Sequence, residues 1–264
     1  MKNIIIMILV LLNGFLLGSL AMRQTAAVRS RHRTEAQLVS LFAADGMTLE
    51  EGVISRETPP PSLSLSRNPE REREAAEFFL GPGLVRSSLE DGTCLYSSES
   101  GVAQFRSNGA FDIVGSLPSQ DGVELCRKFC KRFSCEEPVF SLDSQRSGTG
   151  TAVCLYGKRP VYNSTVLFTL DQGKLLTVSG TLLPGEGAAV SEEREPLSAA
   201  AALTSFQQMR RESYAVVSAV TDMYLCYELQ GSTASALSLA PAWCIVTDAS
   251  KYYVNCVTGV AAAD

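Results

Sequence analysis

The side chains of this sequence best suited to chemistry are eight cysteines, one histidine and carboxylate pairs such as Glu136-Glu137 and Glu192-Glu193. His32 stands in a basic stretch with Arg29, Arg31 and Arg33, so it cannot serve as base for a nucleophile in the body of the protein. The cysteines, at positions 94, 126, 130, 135, 154, 226, 244 and 256, are even in number, which suits disulfides in an oxidising space, but their spacing does not pair them. Cys94, Cys154, Cys226, Cys244 and Cys256 sit in apolar, strand-like runs, where a free thiol behaves as a small buried hydrophobe. Cys126, Cys130 and Cys135 are closer together but lack the C-x2-C knuckles of zinc modules, which argues against a metal site. Glu136-Glu137 and Glu192-Glu193 read as solvated charge on turns. The chain has no Walker loop, no Gly-x-Ser-x-Gly elbow and no glycine-rich turn between strand and helix. The expectation is a protein that is not an enzyme, with no catalytic, metal or cofactor-binding residues. Trp243, Tyr252 and Tyr253 offer rings that can line a peptide groove, although strand alternation assigns at least one face of such residues to the core.

The elements that must position these residues alternate between helix and meander. Thr34 with Gln37 forms a capping box for a short helix carrying Leu38, Leu41 and Phe42 and stopping near Asp45-Gly46. Residues 55–69, with Pro59-Pro60-Pro61 and alternating serines, read as an extended linker, and Glu70 to Glu77 as a charged helix running through Phe78 and Phe79 into Gly81-Pro82-Gly83. A helix starts at Asp121, with Leu125, Phe129 and Phe133 at a four-residue period, and strands follow at 139–142, 151–156, 166–170 and 174–182. Ser198 caps a second helix with Leu203, Phe206 and Met209 on one face, and strands follow at 214–229, 243–246 and 252–257. The runs from Leu167 through Asp171 to Lys174 and from Cys244 through Asp248 to Lys251 share a strand, Asp-x-small-Lys turn, strand pattern. An α+β fold follows, with two helix-plus-antiparallel-sheet units over 81–184 and 185–264, each sheet covered by its helix.

Delivery is set by the first residues. Behind a short tail, 1–3, the stretch from Ile4 to Met22 carries no charge, and its nineteen residues make roughly 28 Å of helix, close to the hydrocarbon thickness of a bilayer. This predicts a transmembrane anchor over 4–22, followed by a juxtamembrane helix and linker over 23–80. Ser19-Leu20-Ala21 also fits a signal-peptidase site, so release after Ala21 is the rival expectation. Arg23, Arg29, Arg31 and Arg33 behind the segment favour a cytoplasmic body by the positive-inside rule, which large domains often override. Within the segment, Gly14-x-x-x-Gly18 allows close approach of a second helix, and Asn13 adds a polar group that prefers a bonded neighbour. The net charge of −5 and the absence of a basic stripe argue against nucleic acid as a partner.

The C-terminal run Leu239-Ala-Pro241-Ala-Trp243-Cys-Ile-Val-Thr-Asp248, continued by Tyr252-Tyr253-Val-Asn255 and Thr258-Gly259, resembles the end of the YycI/YycH family, in which a Pro-x-Trp strand leads into a Tyr-Tyr-x-Asn-x-x-Thr-Gly hairpin of a PepSY-like domain. The chain length is closer to YycI. The resemblance is specific over roughly the last seventy residues and architectural before them. It implies two PepSY-like units outside the cytoplasm on a single-pass membrane anchor. It further implies a regulator of a WalK-type (YycG) sensor histidine kinase controlling cell-wall metabolism in Gram-positive bacteria, with the kinase and a YycH-like paralogue as partners. On that resemblance Pro241, Trp243, Asp248, Tyr252, Tyr253, Asn255, Thr258 and Gly259 are structural motif residues. The eight cysteines depart from the family pattern. The alternative function is a secreted PepSY-like binding or inhibitor module.

Overall fold

The structure is a computed structural model that describes residues 32–115, 121–190, 195–231 and 237–263. The expected membrane segment 4–22 lies outside these residues, and no helix among those described is long and apolar enough to cross a membrane. Among the described residues the fold mixes four α-helices with one large branched sheet.

Helix α1 covers 32–44 and precedes the short strand β1, Thr48–Leu49. Thr34 therefore lies inside α1, not at its cap: the helical stretch already includes 32, and the capping-box pattern points to an interior turn. The segment expected as linker contains β2, Leu63–Leu65, whose two leucines are buried. The Leu-Ser-Leu alternation is a short strand pattern hidden in a proline- and serine-rich context.

Helix α2, Pro69–Leu80, is capped by Asn68, whose side chain accepts from the Arg71 amide, and has Pro69 in its first turn, where a missing N–H costs nothing. It is followed by the meander β3 (Val85–Ser88), β4 (Cys94–Ser98), β5 (Gly101–Phe105) and β6 (Ala110–Gly115). Helix α3, Gly122–Phe133, starts on Asp121 as expected and leads into β7 (Val139–Leu142), β8 (Gly148–Tyr156), β9 (Arg159–Asp171) and β10 (Lys174–Thr181). After β11, Gly187–Ala189, helix α4, Ala199–Ser213, starts on Ser198 and leads into β12 (Ala219–Gly231), β13 (Leu237–Thr247), β14 (Lys251–Asn255) and β15 (Ala261–Ala263). The succession of one helix and four antiparallel strands thus occurs three times. The expected first unit, 81–184, holds the strands of two of them, and the charged helix before it belongs to the first.

The strand expected from 214 starts only at Ala219, because Tyr214 adopts a left-handed conformation, φ 56°, and closes α4. The two Asp-x-small-Lys segments are both hairpins, with Lys174 opposite Asp171 and Lys251 opposite Val246. The first is the last hairpin of its meander and the second is the middle one, so the local likeness does not superimpose the units.

The meanders join edge to edge. β6 pairs antiparallel with β10, and β9 meets β12 in a parallel pairing of Val161 with Tyr227. Beside this pairing the Asn163 side chain accepts from the Leu229 amide at 2.7 Å and donates to the Leu229 carbonyl at 2.8 Å, replacing the backbone rung that β9 does not supply there. β2 pairs with the start of β13, and β1 lies parallel to β12.

Two cores result. Helices α2 and α3 share the first, in which Phe129 lies 4.6 to 6.3 Å from Phe78, Phe79, Phe111, Phe133 and Phe168, centroid to centroid. Helices α1 and α4 cover the second, built on Phe42, Phe206, Trp243, Ile245 and Val254. The expectation of one helix per sheet meets a shared core in the first two meanders, because their joined sheet is wide enough to seat two helices side by side.

Replacing Phe129 by alanine removes the centre of the aromatic cluster and leaves a cavity. The expected loss is about 3–5 kcal/mol of unfolding free energy, read from urea denaturation followed by circular dichroism, while Leu41→Ala on the exposed side of α1 changes it by less than about 0.5 kcal/mol.

Candidate functional site

The residues of the C-terminal motif lie on β13, β14 and the turn after it. Pro241 stands opposite Tyr227, and its carbonyl accepts from the Cys256 amide at 2.8 Å. Trp243 is wholly buried and donates its indole N–H to the Leu197 carbonyl at 2.9 Å, fastening the chain before α4 to the sheet. Tyr252 packs its ring 4.9 Å from Phe206 in the same core. Asp248 accepts from the amides of Ser218 and Ala219 and so ties the β13–β14 turn to the start of β12. Asn255 accepts from the amides of Val257 and Thr258, the Thr258 hydroxyl accepts from the Val260 amide, and Gly259, at φ 74°, completes the turn in a conformation that favours glycine. These contacts are structural.

Tyr253 differs. Strand alternation turns it to the opposite face from Tyr252, where its ring stacks on Tyr162 of β9 with centroids 3.8 Å apart and planes 7° from parallel. Together with Tyr224 of β12 the pair walls a cleft of about 220 Å³ at the junction of the second and third meanders, with Cys226 inside and Glu136 and Lys251 among its lining residues. Behind the stack, the Tyr162 phenol feels the Glu228 carboxylate, which accepts from Asn255 at 2.5 Å and from Gln230 at 3.2 Å. The motif residue Asn255 thereby holds both the turn and the carboxylate near Tyr162.

Burial, reinforced by Glu228, pushes the Tyr162 phenol above its usual range, and burial with a Cys244 contact does the same for Tyr224. Burial also raises the Cys226 thiol. Near neutral pH these groups stay protonated. The cleft therefore offers stacking surface, neutral hydrogen-bonding groups and two opposite charges, which suits an extended or aromatic ligand more than a nucleophile's chemistry.

Sequence reading named Tyr253 and Asn255 but not Tyr162, Tyr224 or Glu228. The strands carrying them meet only through long-range pairing, and no local spacing marks that. Asn13, Gly14 and Gly18 lie outside the described residues. Among the described residues no cluster of three or more His, Cys, Asp or Glu side chains could hold a metal ion.

No protein-family model matches the chain, and no curated protein matches it. Among solved structures the chain is similar to an uncharacterized protein from Eubacterium rectale ATCC 33656, with a TM-score of 0.43 and 10% identity over 78% of this chain and 86% of that one. It is also similar to the C-terminal domain of YpeB from Bacillus megaterium, with a TM-score of 0.36 and 14% identity over 75% of this chain and 99% of that one. The site described above takes no residue role from either.

Two measurements test the site's internal wiring. In a double-mutant cycle, Tyr162→Leu and Tyr253→Leu are expected to show a coupling of about 0.5–1.5 kcal/mol in urea denaturation, the energy of the stack beyond area burial. For Asp248, donation by the Ala219 and Ser218 amides holds the carboxyl below its ordinary value of 3.8. A depressed folded value gives stability that is present above 3.8 and is lost as pH falls through the lowered value. The acid limb of stability against pH is therefore expected to be shallower in Asp248→Asn.

Proposed function

We propose that this chain is a membrane-anchored extracytoplasmic binding module that modulates a WalK-type (YycG) sensor histidine kinase, as a YycI-like protein built of PepSY-like units. The observation that supports the reading is the coupling of the tyrosine cleft to the C-terminal hairpin: Asn255 of the Tyr-Tyr-x-Asn-x-x-Thr-Gly run also positions Glu228 behind Tyr162. Such a hairpin holds a recognition surface in a fixed shape at little entropic cost on binding. In this reading the segment 4–22 anchors the protein and meets the kinase's membrane helices through Asn13, Gly14 and Gly18, while the cleft engages an extracytoplasmic stretch of polypeptide. A YycH-like paralogue is the second partner.

A second reading rests on Ser19-Leu20-Ala21, which fits a cleavage site. It makes the body a secreted PepSY-like binding or inhibitor module.

Purification of the tagged protein from its own membranes in mild detergent, followed by mass spectrometry of its N-terminus and of the proteins that accompany it, separates the two. The first reading expects an intact Met1 end and a sensor histidine kinase in stoichiometric amount. An end at Met22 in soluble protein without kinase favours the second. Under the first reading, the Gly14→Leu, Gly18→Leu double variant loses most of the co-purifying kinase, because two bulky side chains hold the helices apart. Undiminished kinase in that variant removes the helix-face role.

A further inference from the structure

The eight cysteines are all free thiols in the structure, and seven of them are buried. Cys135 is the exception, half-buried directly behind the C-terminus of α3. Ser134 caps that helix in the left-handed conformation, φ 59°, and turns the chain so that Cys135 runs alongside β8. The Glu136 amide then donates to the Val153 carbonyl at 2.8 Å, and the Leu155 amide to the Ser134 carbonyl at 2.7 Å.

These two hydrogen bonds bracket Cys135 and Cys154, which face each other as a non-hydrogen-bonded antiparallel pair. In such a pair the Cα atoms are about 4.5 Å apart and the side chains approach most closely. That separation lies inside the range of roughly 4.4–6.8 Å that a disulfide spans. The two Sγ atoms are already 4.0 Å apart. Side-chain rotation alone can bring them to bonding distance, with the backbone pairing left intact.

The other buried thiols are placed differently. Cys226 stands opposite Ala242, and Cys244 stands opposite Tyr224, so these two are diagonal neighbours across β12 and β13, too far apart for a bond without backbone movement. Cys130 lies beside Cys135 and contacts its thiol, and the Cys135 amide donates to the Cys130 carbonyl at 2.9 Å. Arg71 of α2, which donates to the Phe133 and Leu183 carbonyls, brings a positive charge to the Cys135 and Cys154 sulfurs, but thiol contacts and burial outweigh it. Contact with Cys130 is the main cause that pushes the Cys135 thiol up to about 12, and contact with Cys135 together with burial pushes Cys154 up further. Exchange therefore runs through a small thiolate fraction and quickens as pH rises.

We propose that Cys135 and Cys154 are a disulfide-forming pair, oxidised by a small-molecule or protein disulfide in the space that the body occupies. Cys135, the one thiol of the eight that is not fully buried, loses its proton to solvent in a small fraction of molecules that grows with pH, and the thiolate attacks one sulfur of the external disulfide, forming a mixed disulfide and expelling one thiolate. Cys154 then loses its proton and attacks the Cys135 sulfur, forming the internal bond and expelling the second thiolate. Both released thiolates take up protons. Two protein thiols are oxidised and one external disulfide is reduced to two thiols. The bond locks the end of α3 to β8 and closes a loop between residues 19 apart in sequence. The inference stands on this geometry and does not depend on the kinase as partner.

The test uses the full chain in mild detergent, incubated with oxidised glutathione, blocked with N-ethylmaleimide and digested with trypsin. Cleavage after Arg132, Arg146 and Lys158 places Cys135 and Cys154 on separate peptides, 133–146 and 147–158, and Cys130 on a third, 129–131. The expected product is the linked pair 133–146 with 147–158, a fall in free thiols from the eight of the sequence by two, and a thermal midpoint raised by roughly 5–10 °C. Cys154→Ser abolishes the linked pair. Glutathione carried on Cys135 without an internal link, or a link from 129–131 to 133–146 in its place, overturns the proposal. The readout on the unmodified sequence decides even if a variant folds poorly.

Discussion

A strand offers one hydrogen-bonding edge to each side, and β9 has three neighbours to serve. Along Val166 to Asp171 it lies between β8 and β10, while Arg159 to Val161 pairs with β8 and reaches β12 at Tyr227. The register against β8 shifts between Val153 and Cys154, and in that shift the Asn163 amide takes over the rung to Leu229. Buried or half-buried backbone groups need partners, and a side-chain amide is the group that best imitates a peptide. The joint lets a sheet that would otherwise end at β9 continue into β12 and β13. These long strands divide their length between the two cores: Tyr227, Leu237 and Leu239 belong to the first, and Val220, Leu225, Trp243 and Ile245 to the second. The tyrosine cleft opens at the same joint, where Tyr162 of β9 meets Tyr253 of β14.

Much of this was legible where one physical signal dominated. Asp121 and Ser198 announce their helices by capping, and the Asp171-Gln172-Gly173 turn by its need for positive φ, adopted by Gln172 at 50° and Gly173 at 77°. What escaped were elements whose sequence signal is local and whose stabilisation is not. The run Glu70 to Glu77 reads as a helix of alternating charge, which does not mark that Glu72 is buried, bound bidentately by Arg67 at 2.6 and 3.0 Å, or that Arg71 is spent on two carbonyls. Arg67 also donates to the Phe105 and Gly92 carbonyls, so a single guanidinium ties the approach to α2 to β5 and to the turn before β4. Strands β3 to β6 are short, rich in serine and glycine, and owe their pairing to α2 and to β10.

The candidate site divides in the same way. Tyr252 and Tyr253 are adjacent in sequence and carry the same ring, and the structure packs one against Phe206 in the core and the other against Tyr162 at the cleft. Only the partner ring on β9, remote in sequence, settles which is which. The motif residues around them hold the hairpin, and through Asn255 that hairpin fixes the Glu228 carboxylate near a phenol it does not itself carry.

Trp243 is the chain's single tryptophan, shielded completely from solvent and bonded through its indole to Leu197. Its emission is consequently a private spectrum of one core. As long as that core is dry the maximum stays in the blue, and it moves to longer wavelength only when α4 and β13 part. The aromatic cluster around Phe129 contributes no tryptophan signal at all. A cuvette thus distinguishes the two halves of this sheet without any label, because the chain placed its one bright chromophore on one side of the joint.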